Sequence, residues 1–188
     1  MNDELLALYT ADREERVDQP RMGTPEYTAM RERDKERRLR AAAILSTLPA
    51  PEAADLYHAA LLFQHGDEAE DAWRAYDLAR EATERGDERA RWLTAAAYDR
   101  WLMYQGKPQK YGTQYVHDGL RHRLWDVDPG TTDAERAAWN VAPLAEQLRK
   151  AEEATRTDPP QPIDLDDAPW WLKEALPRWK SSAGASEG

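Results

Sequence analysis

Residues 25 to 105 carry an almost continuous 3.6-residue hydrophobic periodicity, interrupted only where Gly or Pro falls, and a chain with that pattern must pack as helices. Thr24-Pro25-Glu26 starts one helix with a cap, a first-turn proline and an acid, and Pro49 and Pro51 close it after Leu48. The next, Glu52 to His65, is apolar on nearly every face from Leu56 to Phe63, so it must be buried; Gly66 stops it. Glu68 to Arg85 stripes Ala69, Ala72, Trp73, Tyr76 and Ala79, and Asp87 to Gln105 stripes Ala90, Leu93, Ala97, Trp101 and Tyr104. Gly86 and Gly106 end them. The predicted fold is all-α: one domain of antiparallel helical hairpins with tetratricopeptide-like packing, although no fixed repeat period is visible.

Outside that block the signals are shorter. Asp3 to about Val17 reads as a helix with Leu5, Leu6 and Tyr9 on its apolar side. Lys107 to Val116 is a loop, and 117 to 132 is irregular or short helix, with no strand expected. Thr132-Asp133 caps a short helix to Trp139, and another helix spans about Ala142 to Thr155. The organisation expected is a helical domain over 1–157, then a segment over 158–180 with Pro159 to Pro162 extended and a short helix from Trp170 to Leu176. A disordered tail over 181–188 follows. Trp170 and Trp171 are expected to dock on the helical body, since two adjacent exposed indoles would be adhesive.

Composition removes several classes of function. The formal charge is −10, and the one basic run, Arg31 to Arg40, is interleaved with Glu32, Asp34 and Glu36, which reads as a solvated, salt-bridged face rather than a nucleic-acid footprint. There is no cysteine, which excludes disulfides, thiolate nucleophiles and Cys-ligated zinc. No apolar run approaches the roughly 20 residues that span a bilayer, and Met1 to Leu8 does not resemble a signal peptide, so the cytoplasm is the expected location and no membrane partner is expected. There is no Rossmann glycine pattern and no cofactor is expected. Eight Trp and eight Tyr against one Phe point to an interior whose aromatic groups have hydrogen bonds to satisfy.

The chemistry-bearing candidates are polar residues inside segments that otherwise read as core. His65, with Gln64 before it, ends the most buried helix, where the dipole favours an imidazolium and where the residue can act as an acid/base group or merely as a cap. His58 shares its helical face, but two turns separate them by about 10.5 Å, too far for one ion. His117 and His122 read as isolated, and no metal site is expected. Asp99 and Arg100 lie adjacent between Tyr98 and Trp101, an arrangement that is costly unless paired. Asp12 and Arg16 are four apart, and Asp34 and Arg37 fall on the stripe of Tyr27, Met30, Ala41 and Ile44. The loop Gly106-Lys107-Pro108-Gln109-Lys110-Tyr111-Gly112-Thr113-Gln114 concentrates donors and acceptors on a Gly/Pro-shaped backbone, and lacks the Walker arrangement.

These motifs carry a resemblance. Asp12 with Arg16, Asp34, Gln64-His65-Gly66-Asp67, Asp99-Arg100 and Gly106 through Gln114 resemble a bacterial family described as a domain of unknown function. Asp128, Arg136, Pro143 and Leu144 fit its weaker downstream pattern, so the likeness covers about residues 5 to 148. Arg13 stands where that family often has Gln, and Leu48-Pro49-Ala50-Pro51 replaces a Gly-Trp-Pro-like turn. The resemblance implies a site and no reaction.

The expected function is small-molecule binding in a polar pocket, as a cofactor-independent acid/base enzyme. His65 would be the acid/base group, Asp99 its orienter and Arg100 an anion clamp, with Gln64, Gln109, Tyr111, Thr113 and Gln114 as ligand contacts and Asp12, Arg16 and Asp34 completing one cleft. The alternatives are a helical-hairpin module that binds a peptide or protein without catalysis, and a purely structural polar network. Oligomeric state is not readable from the pattern.

Overall fold

The computed structural model describes residues 1–20, 23–158, 160, 163, 165 and 168–184, with no side-chain description for 182–184. Among them are eight helices and a two-stranded sheet, and 65% of the described residues are helical. The elements run α1 (Asp3–Glu15), α2 (Pro25–Thr47), α3 (Ala53–Gln64), α4 (Ala69–Glu84), α5 (Arg89–Tyr104), β1 (Tyr115–His117), β2 (His122–Leu124), α6 (Asp133–Ala138), α7 (Leu144–Thr157) and α8 (Trp170–Gly184). No helix among the described residues is long and apolar enough to cross a membrane.

Local chemistry sets the helix starts. Thr24 accepts from the Tyr27 N–H ahead of Pro25, and Asn2 accepts from Leu5. Glu52 with Asp55, and Thr132 with Glu135, form reciprocal capping boxes.

Contacts divide the chain into two compact units, 1–98 and 99–188, with the boundary inside α5. In the first unit α3 packs on α1, α2 and α4, and Leu56, Ala59, Ala60, Leu61, Leu62 and Phe63 are all buried, as its uniform apolarity requires. Leu5, Ala41, Ile44, Ala75, Leu78, Ala79, Leu93 and Ala97 complete this core. The basic run 31–40 departs from the solvated face expected of it. Arg37 and Arg38 are buried, because α2 turns that edge towards α1 and the α3–α4 connection, where acids meet it.

The second unit corrects three expectations. Residues 115–124 form a hairpin, β1 antiparallel to β2, with Tyr115 opposite Leu124, Val116 opposite Arg123 and His117 opposite His122. The turn is made by Asp118, whose carboxylate accepts from the Leu120 and Arg121 amides, and by Gly119 at φ +96°, a conformation that favours glycine. Helix α8 extends beyond Leu176 to Gly184, passing through Pro177, so residues 181–184 are helical where a disordered tail was expected. Its buried stripe of Leu172, Ala175, Leu176 and Trp179 lies on both sides of the proline and packs with Met103, Val116 and Trp125. This helix supplies four of the seven buried residues of that cluster. Trp171 packs there, whereas Trp170 is 53% exposed and lies against Gly106. The expected extension of Pro159 to Pro162 falls largely outside the described residues, as do 185–188.

Candidate functional site

In the first unit, the end of α1, the middle of α2 and the α3–α4 connection bring charged side chains together. Asp34, fully buried, receives Arg37 on Oδ1 at 2.9 Å and both Arg16 and Arg31 on Oδ2 at 2.8 Å. Arg16 also reaches Asp12 Oδ1 at 2.7 Å, Arg37 pairs with Glu15, Arg31 pairs with Asp67, and Arg38 Nε lies 3.3 Å from Asp71. Arg31 donates to the His65 carbonyl at 2.7 Å and Arg38 to the same oxygen at 3.4 Å, so two guanidinium groups cap the carbonyl end of α3. Four inward-turned guanidinium groups thus face five carboxylates, and their positive charge is compensated in place.

His65 belongs to this set. Its Nδ1 lies 3.1 Å from Asp12 Oδ2 and 3.2 Å from Oδ1. Asp12 is 1% exposed and the His65 side chain 19%, so a buried carboxylate holds an imidazole that solvent still reaches. Burial pushes the Asp12 carboxyl up, but the hydrogen bond and charge of His65, with Arg16 and Arg37, outweigh it and hold the group below its usual range. The carboxylate against His65 Nδ1 is thus that of Asp12. Gln64 is buried, and its amide donates to the Ala96 carbonyl at 3.3 Å, tying α3 to α5. His58 is buried and stacked on Tyr9 with ring centroids 4.5 Å apart.

The remaining predicted residues lie in the second unit, where they build one another's backbone geometry. Asp99, at the start of that unit, accepts from the amides of Lys110 at 2.8 Å, Tyr111 at 2.9 Å and Thr113 at 3.0 Å, and from the Thr113 hydroxyl at 2.8 Å. Burial pushes its carboxyl up against the pull of those four donors. Gln109, fully buried, donates to the carbonyls of Gln114 and Trp125 and accepts from the Gln114 amide. Arg100 donates to the Gln114 side-chain oxygen at 2.9 Å, and that amide donates to the Thr113 hydroxyl. Arg136 reaches the carbonyls of Tyr111 and Thr131. The expectation of Gln109, Thr113 and Gln114 as ligand contacts meets a physical obstacle: a Gly/Pro loop has few backbone partners of its own, and these side chains supply them. Of the eleven residues expected in one cleft, Asp12, Arg16, Asp34, Gln64 and His65 lie in the first unit, and Asp99, Arg100, Gln109, Tyr111, Thr113 and Gln114 in the second.

One group went unpredicted. The β1–β2 register places His117 beside His122, their rings edge to face with centroids 4.9 Å apart. Asp158, which caps the end of α7, meets His122 Nε2 at 2.7 Å. Ligand-competent atoms of the three lie within 4.8 Å of one another. Burial and the charge of His122 lower the His117 pKa, which favours the neutral ring. The signal that could have found the pair is Asp118-Gly119, a hairpin-turn dipeptide between two short β-prone runs.

No family model, curated protein or solved structure matches this chain.

Proposed function

We propose that the first unit carries a small-molecule site in which His65 exchanges a proton and Asp12 fixes the ring that does so. The observation that carries this reading is the contact between His65 Nδ1 and the buried Asp12 carboxylate. A carboxylate on Nδ1 selects one tautomer, directs proton transfer to Nε2 and stabilises the imidazolium formed when His65 acts as a base. The same position at the C-terminus of α3 favours that cation. Because the neighbouring guanidinium groups are already matched by carboxylates, an uncharged polar ligand fits better than the anion that Arg100 was expected to clamp. The resemblance drawn from the motif residues marks Asp12, Arg16, Asp34 and His65 together, in agreement with this assignment.

The test is His65→Ala, with thermal melting measured against a panel of neutral and anionic metabolites. A small-molecule site predicts a stability loss of under about 1 kcal/mol, since water can replace the ring, and loss of any ligand-induced rise in melting temperature. A loss on the order of 3 kcal/mol, with no compound shifting wild type, would identify the cluster as a structural ion-pair network.

A second reading is favoured by a separate observation. On the first unit's helices, Trp73 and Trp92 are 39% and 44% exposed, and Trp73 continues through Tyr76 to Tyr98 as an aromatic strip. Such a surface suits a helical-hairpin module of tetratricopeptide type that docks a peptide. Blue-shifted fluorescence in wild type that Trp73→Ala and Trp92→Ala lose, on titration with a helical peptide library, would support this reading over the first.

A further inference from the structure

We propose that His117, His122 and Asp158 form a binding site for a divalent transition-metal ion, with zinc the best fit, beside the turn of the β1–β2 hairpin. The inference is independent of the function proposed for the first unit. Two imidazoles and one carboxylate are a donor set that binds zinc and leaves one position for water or a ligand. All three groups are placed by the backbone. Residues 117 and 122 are directly opposed across the ladder, so the hairpin register sets their separation. The His122 amide donates to the Thr155 hydroxyl at 3.0 Å, and that hydroxyl has the Ala151 carbonyl at 2.9 Å and the His122 carbonyl at 3.2 Å to receive its one proton, which ties β2 to the last turn of α7. Asp158 follows immediately as the α7 C-cap.

One feature points to a cation. The His117 Nε2 atom is buried and makes no hydrogen bond, although a ring nitrogen in that condition ordinarily finds a partner. Without metal, a proton on His122 Nε2 bridges to Asp158 and serves as a partial substitute. Zinc–ligand bonds of about 2.0–2.2 Å place tetrahedral donor atoms roughly 3.3 Å apart, so the 2.7 Å pair must open slightly and the third atom must close by up to about 1.5 Å. Side-chain rotation supplies that movement without altering the hairpin.

Metal binding also demands one specific rearrangement. His117 Nδ1 accepts from the Gly119 amide at 3.0 Å. If Nδ1 binds the metal, it must release that amide. If Nε2 binds, the ring proton moves to Nδ1, which can no longer accept. Either way the Gly119 hydrogen bond is lost, and this gives the proposal a readout of its own.

The experiment uses the full chain freed of metal with a chelator and titrated with zinc chloride against a chromogenic competitor. Nitrogen-15 spectra are recorded at each step. The expected result is one zinc per chain, a raised melting temperature, and a Gly119 amide shift among the largest observed. His122→Ala and Asp158→Asn should each weaken binding on the order of 100-fold, whereas His58→Gln and His65→Ala should leave it unchanged. Asp158→Asn keeps the shape of the partly exposed cap, so it reports on binding even if His122→Ala fails to fold. Cobalt(II) loading should give visible bands of four- or five-coordinate geometry. Absence of stoichiometric zinc binding, zinc affinity unchanged in Asp158→Asn, or an unmoved Gly119 amide would each overturn the proposal.

Discussion

Asp99 and Asp12 show how one residue type can carry opposite meanings. Both are fully buried carboxylates flanked by residues that read as core, and nothing in their local sequence separates them. Asp99 accepts from three amides and a hydroxyl of one loop, so its work is to fold residues 110–113. Asp12 accepts from the Arg16 guanidinium, faces that of Arg37 at 3.7 Å and meets an imidazole, side chains that can exchange protons or partners. The distinction was not legible because it depends on which segments return to each acid, and all partners but Arg16 are 11 to 53 positions away in sequence. Replacing Asp99 by Asn turns a donor toward the Thr113 amide and hydroxyl. Urea denaturation of Asp99→Asn is expected to show a loss on the order of 3 kcal/mol, far above that of an exposed Asp.

Among the elements, the helices of the first unit were legible to within two residues at each end. Capping chemistry and a 3.6 period are local properties, and Thr24 carries its own signal. The hairpin was missed because three-residue strands are too short for an alternation to stand out, although Asp118-Gly119 marked the turn. Helix α8 was cut short because Pro177 ordinarily ends a helix, whereas the stripe from Leu172 to Trp179 keeps it docked on either side. The proline is exposed and removes the backbone bond to the Lys173 carbonyl. Pro177→Ala is therefore expected to stabilise the protein by about 1–3 kcal/mol, measured as a higher urea midpoint at unchanged slope.

At the scale of the whole molecule, His58 and three carboxylates act in one direction, against Asp99, which burial raises. Burial, reinforced by Arg89, lowers the His58 pKa below its ordinary 6.5, and Asp55 and Asp87 only partly oppose this. An unfolded chain thus binds a proton that the folded chain refuses, so the contribution is full above pH 6.5 and is lost as pH falls through the folded value. Asp12, Glu15 and Asp87 are also lowered, by their Arg and His partners, and their contributions disappear at more acid pH, below the ordinary carboxylate values. Stability is expected to fall in two stages on acidification. His58→Gln should flatten the first stage in a melting-temperature profile between pH 7 and 5 while leaving the second.

The α3–α4 connection has a consequence for how sequences of this kind can drift. Gly66 has an ordinary backbone conformation, so it is not glycine for the sake of a turn. A methyl group there would coincide with the Cβ and carboxylate of Asp71. The two positions compete for one volume, and because the collision begins at Cβ, trimming Asp71 to Ala does not clear it. Gly66→Ala should be severely destabilising alone and partly rescued by Asp71→Gly, which a double-mutant cycle in urea would reveal as strong coupling. Position 66 can accept a side chain only along a mutational path that first empties position 71, or that moves the α4 start outward and with it the partner of Arg38.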